Sequence, residues 1–186
     1  MVRILIGITG TPGTGKKSVG RILAKELDYE FLDINSLAKG EKDEKGELIL
    51  DLKALRKDLN LYLKDKRAIV VGHLLPYVLA KKGVRLIVVL RCAPYELEER
   101  LKKRSYSYEK IKENVTSEIL GIILYDAFKK FGKSKICEID TTNRKEEEVV
   151  KEILEILEYR RSKPLGIVDW LALVEKDEKL LKFLQT

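Results

Sequence analysis

The sequence predicts a three-layer α/β domain, a parallel sheet covered by helices on both faces, and three observations predict it. Short, nearly continuous apolar runs alternate with longer amphipathic stretches, the pattern of strands buried on both sides and joined by crossover helices. A glycine-rich stretch, GTPGTGKK from Gly10, lies between the first apolar run and the first amphipathic one. The 186 residues suffice for one sizeable core and not for two comfortable domains.

The elements follow in chain order. VRILIGI (2–8) reads as the first strand and Lys16 to Leu27 as the first helix. YEFLDI (29–34) is the second strand, closed by Asp33 and followed by a short helix, INSLAK. Residues 38–49 are charged, contain glycine and lack an apolar period, so they read as a mobile loop before a helix over Leu52 to Lys64. RAIVVG (67–72) and VRLIVVL (84–90) are the third and fourth strands. Helices are expected over Pro94 to Lys103 and Tyr108 to Phe131, then a fifth strand, KICEID (135–140), and a helix from Arg144 to Arg161. Beyond Ser162, Pro164 and Gly166 stop that helix, and Ile167, Trp170, Leu171 and Val174 fall at i, i+3, i+4 and i+7. Such a stripe is expected to dock on its own domain. In a sheet of this kind ligands bind at the carboxyl ends of the strands.

The balance of 37 basic against 30 acidic residues gives a formal charge of +7, which suits an anionic partner such as nucleotide, RNA or phosphate. The two signs are interspersed, so charge alone decides little, and the 36% charged content resembles the ion-pair-rich surfaces of thermophile proteins. Cys92 and Cys137 form no C-x-x-C and sit among apolar residues, as reduced buried thiols do. The first apolar run carries Arg3 and breaks at Gly7, too short and badly flanked for a signal or a membrane span. A soluble cytoplasmic protein without a membrane partner is expected.

The stretch from Gly10 has the phosphate-binding spacing G-x-x-x-x-G-K in the strand-loop-helix context that the motif requires. Gly13, Thr14 and Gly15 supply a tight turn of backbone amides, the helix amino end adds a favourable dipole, and Lys16 can reach terminal phosphates. Lys17 stands where a hydroxyl that ligates magnesium is expected. Ser18 comes one residue late and is expected on an α-phosphate. Further along, Arg100 and Arg104 lie four apart and share a helix face, where planar guanidinium groups can stack on a base and fork onto phosphate oxygens. The alternative is a solvated helix with Glu98 and Glu99 paired to Lys102 and Lys103.

TGTPGTGKKS, the VVGH at 70–73, VVLRCAPYELEERLKKRSYSYEKIKENVTSEI from 88 to 119 and DTTNR at 140–144 together resemble the atypical adenylate kinases associated with small-ribosomal-subunit maturation. The resemblance implies a phosphate-loop nucleotide-kinase fold with a five-stranded parallel sheet in order 2-3-1-4-5. It implies a kinase domain over 1–162, a monophosphate-binding segment over about 33–56 and a lid over about 103–113, with 163–186 as a helical extension outside the pattern. The implied activity moves the γ-phosphoryl group of ATP to AMP or a similar nucleoside monophosphate, with Mg²⁺ as the usual companion. Slow ATP hydrolysis and a ribosomal protein or pre-ribosomal RNA partner are implied too.

On this resemblance Arg100 lies near adenine and Arg104 clamps phosphate. Arg91, past the fourth strand, meets the acceptor phosphate or forms a surface ion pair. Arg144, with Asn143, borders the adenine or belongs to a helix-starting turn. His73 orients a water or the acceptor phosphate, or bonds nearby backbone. Asp33 faces the phosphates or a water-bound magnesium, or caps the short helix. Lys16, His73 and Arg104 are thus the catalytic candidates. Three positions depart from the family: Lys17 replaces the hydroxyl, Val71 replaces the acid of acid-x-His, and Ser36 replaces an acid in the monophosphate segment. The expectation is nucleotide binding with a weak magnesium requirement and slow transfer. The alternative is a nucleotide-binding assembly factor with weak or lost kinase activity.

Overall fold

The computed structural model describes residues 3–37, 40–42 and 48–185. The chain runs β1 (Ile4–Gly10), α1 (Lys16–Leu27), β2 (Glu30–Asp33), a 3-10 turn (Ile34–Ser36), β3 (Gly40–Lys42), β4 (Leu48–Leu50), α2 (Leu52–Tyr62), β5 (Arg67–Val71) and α3 (Leu75–Val78). It continues through β6 (Val84–Arg91), α4 (Pro94–Lys102), α5 (Tyr108–Ile119), α6 (Ile122–Phe131), β7 (Ile136–Asp140), α7 (Glu146–Leu157), α8 (Trp170–Lys176) and α9 (Glu178–Leu181).

Five strands pair in parallel in the order β2-β5-β1-β6-β7, the 2-3-1-4-5 arrangement expected. Alternation along each strand divides the core. Leu5, Val70, Ile87 and Ile136 pack under α2, α3 and α6 through Leu59, Leu75, Val78 and Ala127. On the opposite face Ile6, Ile8, Ile69, Val88 and Ile139 meet α1 and α7 through Val19, Leu23, Val149 and Ile153. Both faces are apolar, which is why the strands read as continuous apolar runs. A third cluster joins Cys92, just past β6, to α4, α5 and the tail through Leu97, Leu101, Val115, Val174, Leu180 and Phe183.

Side-chain caps start several helices: Asp51 accepts from Lys53 N and Ala54 N at 2.9 and 3.0 Å, and Asp169 accepts from Ala172 N at 2.9 Å. Both cysteines are buried and free, and burial pushes each thiol up to about 12. Among the described residues no helix is long and apolar enough to cross a membrane.

Three expectations need correcting, and one short helix, α3, was not expected. The helix over 108–131 is two helices, because Gly121 turns into the left-handed region (φ 64°) and Arg91 captures the Glu118 carbonyl that a continuous helix would have used. Part of the loop over 38–49 is ordered as an antiparallel hairpin, with Gly40 opposite Leu50 and Lys42 opposite Leu48; residues 38, 39 and 43–47 lie outside those described. The short helix α3 has too few residues for a periodic signal. In the tail the helix begins only at Trp170, so Ile167 and Leu171 are exposed and the inward set is Trp170, Leu173 and Val174, followed by Leu180 and Phe183.

The tail is therefore core for α4 and α5. Truncating Phe183 to alanine should cost about 3 kcal/mol in urea denaturation, as buried aromatic deletions do, whereas Leu171→Ala should change stability by less than about 0.5 kcal/mol.

Candidate active site

β1 ends at Gly10, and the chain turns back on itself so that the Thr11 carbonyl accepts from Thr14 N (3.2 Å), Thr14 Oγ1 (2.9 Å) and Lys16 Nζ (2.8 Å). The turn needs glycine at Gly13: its φ is 101°, and a Cβ there would fall 2.6 Å from Leu97 Cδ1. Neighbouring strands hold the loop from outside. Thr9 Oγ1 donates to the Gly72 carbonyl at 2.9 Å, Thr141 Oγ1 lies 3.3 Å from the Thr14 carbonyl, and Thr11 Oγ1 donates to Glu118 Oε2 at 2.6 Å. The first turn of α1 has no side-chain cap at Gly15, so its amides remain available to an anion.

Two recesses flank this loop. One, of about 300 Å³, is lined by Lys16, Lys17, Asp33, Asn35, His73 and Arg104. The other, of about 240 Å³, is lined by Ser18, Arg100, Arg104, Thr141 and Arg144 beside the loop glycines. Gly13, Gly15, Ser18 and Arg104 border both.

The electrostatics favour phosphate. Burial pulls the Lys16 ammonium down to about 7, with Arg104 and Lys17 pushing the same way and Glu118 and Asp33 opposing. His73 is also lowered, first by burial and then by Lys16, so its ring is neutral near pH 7. The His73 ring makes no hydrogen bond among the described residues, so the structure does not show the backbone-bonded alternative.

The arginines divide. Arg104 is exposed and its guanidinium makes no hydrogen bond or ion pair among the described residues, so it is free to close on a ligand. Arg100 is held by Glu96 (2.5 Å), the Thr141 carbonyl (3.0 Å) and, more weakly, the Gly13 carbonyl (3.3 Å), which sets it against the loop's outer wall. Arg144 lines the same recess but pairs with Glu152 at 2.8 Å. The expected lid over 103–113 comprises a five-residue connection, 103–107, and the first turns of α5.

Arg91 is a correction. Its side chain is 5% exposed and bonds Glu118 and Glu138, so it turns away from the crevice and does not reach an acceptor phosphate there. Ser36 is another: its hydroxyl donates to the Asp33 carbonyl at 2.7 Å, while Asn35 lines the recess in its place. Asn35 and Tyr106 are lining residues that sequence reasoning missed; Tyr106 stands in the R-L-x-x-R-x-Y run, which was the available signal.

Asp33 lines the recess and also takes the capping role that was one of its expected alternatives. One carboxylate oxygen accepts from Asn35 N at 3.1 Å, capping the 3-10 turn, and the other pairs with Lys17 Nζ at 2.6 Å. The donor set does not fit magnesium in its usual place. Lys17 has no lone pair to offer, Asp33 already has a cation, and the end of β5 opposite Asp33 is Val71. Among the described residues no three His, Cys, Asp or Glu side chains form a metal-holding group.

Fold and site together define a phosphate-loop domain of the kinase architecture. The shape is shared with a gluconokinase from Sinorhizobium meliloti, at a TM-score of 0.62 and 20% identity over 86% of this chain and 94% of that one. A family model described as an AAA domain matches residues 6–121. Relatives named "Putative adenylate kinase" include those of Thermococcus gammatolerans, 40% identical over 90% of this chain and 93% of the relative, and Thermococcus onnurineus, 34% identical over 97% of both. The chain belongs to this adenylate kinase family. The match to the Thermococcus onnurineus relative runs past Ser162.

A phosphate bound beside Lys16 raises its pKa above the value of about 7 in the free protein. The favourable contribution is therefore full below that value and is lost as pH climbs toward the bound-state pKa. Calorimetric titration should show ATP affinity falling by up to about tenfold per unit between roughly pH 7.5 and 9, where the triphosphate itself no longer titrates. Lys16→Ala should bind more weakly throughout and lose this slope.

Proposed function

We propose that this chain transfers the γ-phosphoryl group of ATP to AMP or a similar nucleoside monophosphate. One observation carries the reading: two recesses meet at a single phosphate loop, and the same arginine, Arg104, borders both. A hydrolase needs one nucleotide site, whereas a phosphotransferase needs a donor and an acceptor site that share the transferred group. The relatives' name supports the same chemistry.

In this reading the donor's base lies beside Arg100 and Arg144, and its phosphates lie over the loop amides and Ser18. Lys16 leaves the Thr11 carbonyl for the terminal phosphate. The acceptor's phosphate enters the recess of Asp33, Asn35 and His73. An acceptor phosphate oxygen bonds to the γ-phosphorus as the bond to the β,γ-bridging oxygen breaks, and the charge spreading over the γ-oxygens meets Lys16, Lys17 and Arg104. Neutral His73 donates its ring N–H to an acceptor phosphate oxygen and orients it. A kinase phosphate loop implies ATP with Mg²⁺ as its usual companion, but here Lys17 stands as a fixed cation on the side where the metal's ligands belong.

That same ion pair favours a second reading, a nucleotide-binding assembly factor with slow or lost transfer. The ribosomal protein or pre-ribosomal RNA partner, slow hydrolysis of ATP and the cytoplasmic setting belong with it.

A coupled assay decides between them: ADP formed from ATP plus AMP marks the kinase, and phosphate release independent of AMP marks the second reading. Arg104→Ala should lower turnover more than nucleotide affinity, because a mobile guanidinium matters most once charge has spread over the transferred group. Chelation of divalent cations should leave ATP binding nearly unchanged. Lys17→Thr should raise turnover and steepen the magnesium requirement, more so with Val71→Asp. Fast, fully magnesium-dependent transfer that Lys17→Thr leaves untouched would sink this account of the site.

A further inference from the structure

The expected site residues leave Glu118 without a role, yet it touches the phosphate loop. It sits on the last turn of α5, buried, and its carboxylate takes four donors: Thr11 Oγ1 at 2.6 Å, Arg91 Nε at 2.7 Å, and Cys92 N and Trp170 Nε1 at 3.2 Å each. Thr11 is the residue whose carbonyl closes the loop turn and holds Lys16. Glu118 thus holds the phosphate loop at the residue whose carbonyl closes its turn.

The chain of contacts does not stop there. Arg91 donates Nη2 to the Glu118 carbonyl at 2.9 Å and Nη1 to Glu138, which is fully buried. Glu138 Oε2 accepts from Gly166 N (2.6 Å) and Ile167 N (3.1 Å), and Glu138 N donates to the Pro164 carbonyl at 2.8 Å. The tail therefore meets this cluster twice, through its backbone at 164–167 and through the indole of Trp170. Two carboxylates share one guanidinium, so each backbone amide, hydroxyl and indole N–H aimed at them offsets charge that has no other solvation.

We infer that Glu118 is a positioning residue for the phosphate loop and that the tail, through Trp170 and Glu138, holds Glu118 in place. Nucleotide affinity then depends on residues 164–170, which do not line either recess beside the loop. Coupling runs both ways: a phosphate that draws Lys16 off the Thr11 carbonyl changes the setting of Thr11, of Glu118 and of the indole bonded to it. This inference rests on the loop binding a nucleotide and is independent of whether transfer follows.

The test is calorimetric titration of ATP into the full chain, with thermal melts to verify folding. Thr11→Val, which removes the hydroxyl bonded to Glu118, should weaken binding by about tenfold, the scale of one hydrogen bond to a charged group. Thr11→Ser, which retains it, should restore affinity. Trp170→Phe should weaken binding in the same direction, and the double variant Thr11→Val/Trp170→Phe should lose less than the sum of the single losses, since both act through one carboxylate. Trp170 is the sole tryptophan, so its emission supplies a reading that requires no variant. It should shift when ATP binds to the wild-type protein and should stay fixed in Thr11→Val at saturating ATP. Full affinity in Thr11→Val, strict additivity of the pair, or unchanged wild-type emission at calorimetrically verified saturation would each overturn the inference. Wild-type protein that binds ATP with this coupling but forms no ADP from AMP would overturn the kinase reading alone; wild-type protein that binds no ATP would overturn both.

Discussion

Arg91 bridging Glu118 and Glu138 is the interaction on which the rest of the structure depends. An isolated buried charge costs several kcal/mol, and the three groups are tolerable only because nearly every polar atom among them has a partner. Those partners come from the end of β6, from β7, from α5, from the phosphate loop and from the tail, so satisfying one cluster fixes five parts of the chain relative to one another. Removing a single member would leave a buried charge uncompensated, typically a loss of about 3–5 kcal/mol. Together with the apolar contacts of Val174, Leu180 and Phe183, this explains why a tail of short helices holds a defined place.

Much of the fold was legible because its causes are local. The strands announce themselves as apolar runs, since both faces of the sheet are covered, and the loop announces itself because glycines at Gly13 and Gly15 meet a geometric need that other residues do not. What was illegible has non-local causes. Arg91 reads as a crevice residue from its place after β6; its partners lie 27 and 47 positions away, and nothing in the local pattern points to them. The break at Gly121 likewise turns on Arg91 taking the Glu118 carbonyl. Asn35 rather than Ser36 faces the recess because the 3-10 turn, capped by Asp33, rotates side chains by a step that an α-helical reading misplaces.

Lys17 shows how a departure from a motif can be locally consistent. Its ammonium and the Asp33 carboxylate lie on adjoining ends of α1 and β2, and their 2.6 Å contact converts a position for binding a cation into one that contains a cation. With Lys17 about 60% exposed, water screens the pair, so its consequence is less for stability than for which charges greet an incoming phosphate. The loop thus presents two ammonium groups in succession, one partly neutralised by burial and one by a carboxylate.

The contacts that tie the tail to Glu138 and Glu118 also bear on how the molecule is made. Synthesis makes the phosphate loop well before residues 164–170, so an early element is completed by a later one. While residues 164–170 are still to be added, the sheet already has its strands, but Glu118 has three donors instead of four and Glu138 lacks its backbone amides. If the tail steadies the loop as inferred, the site acquires its full grip only once residues 164–170 have docked.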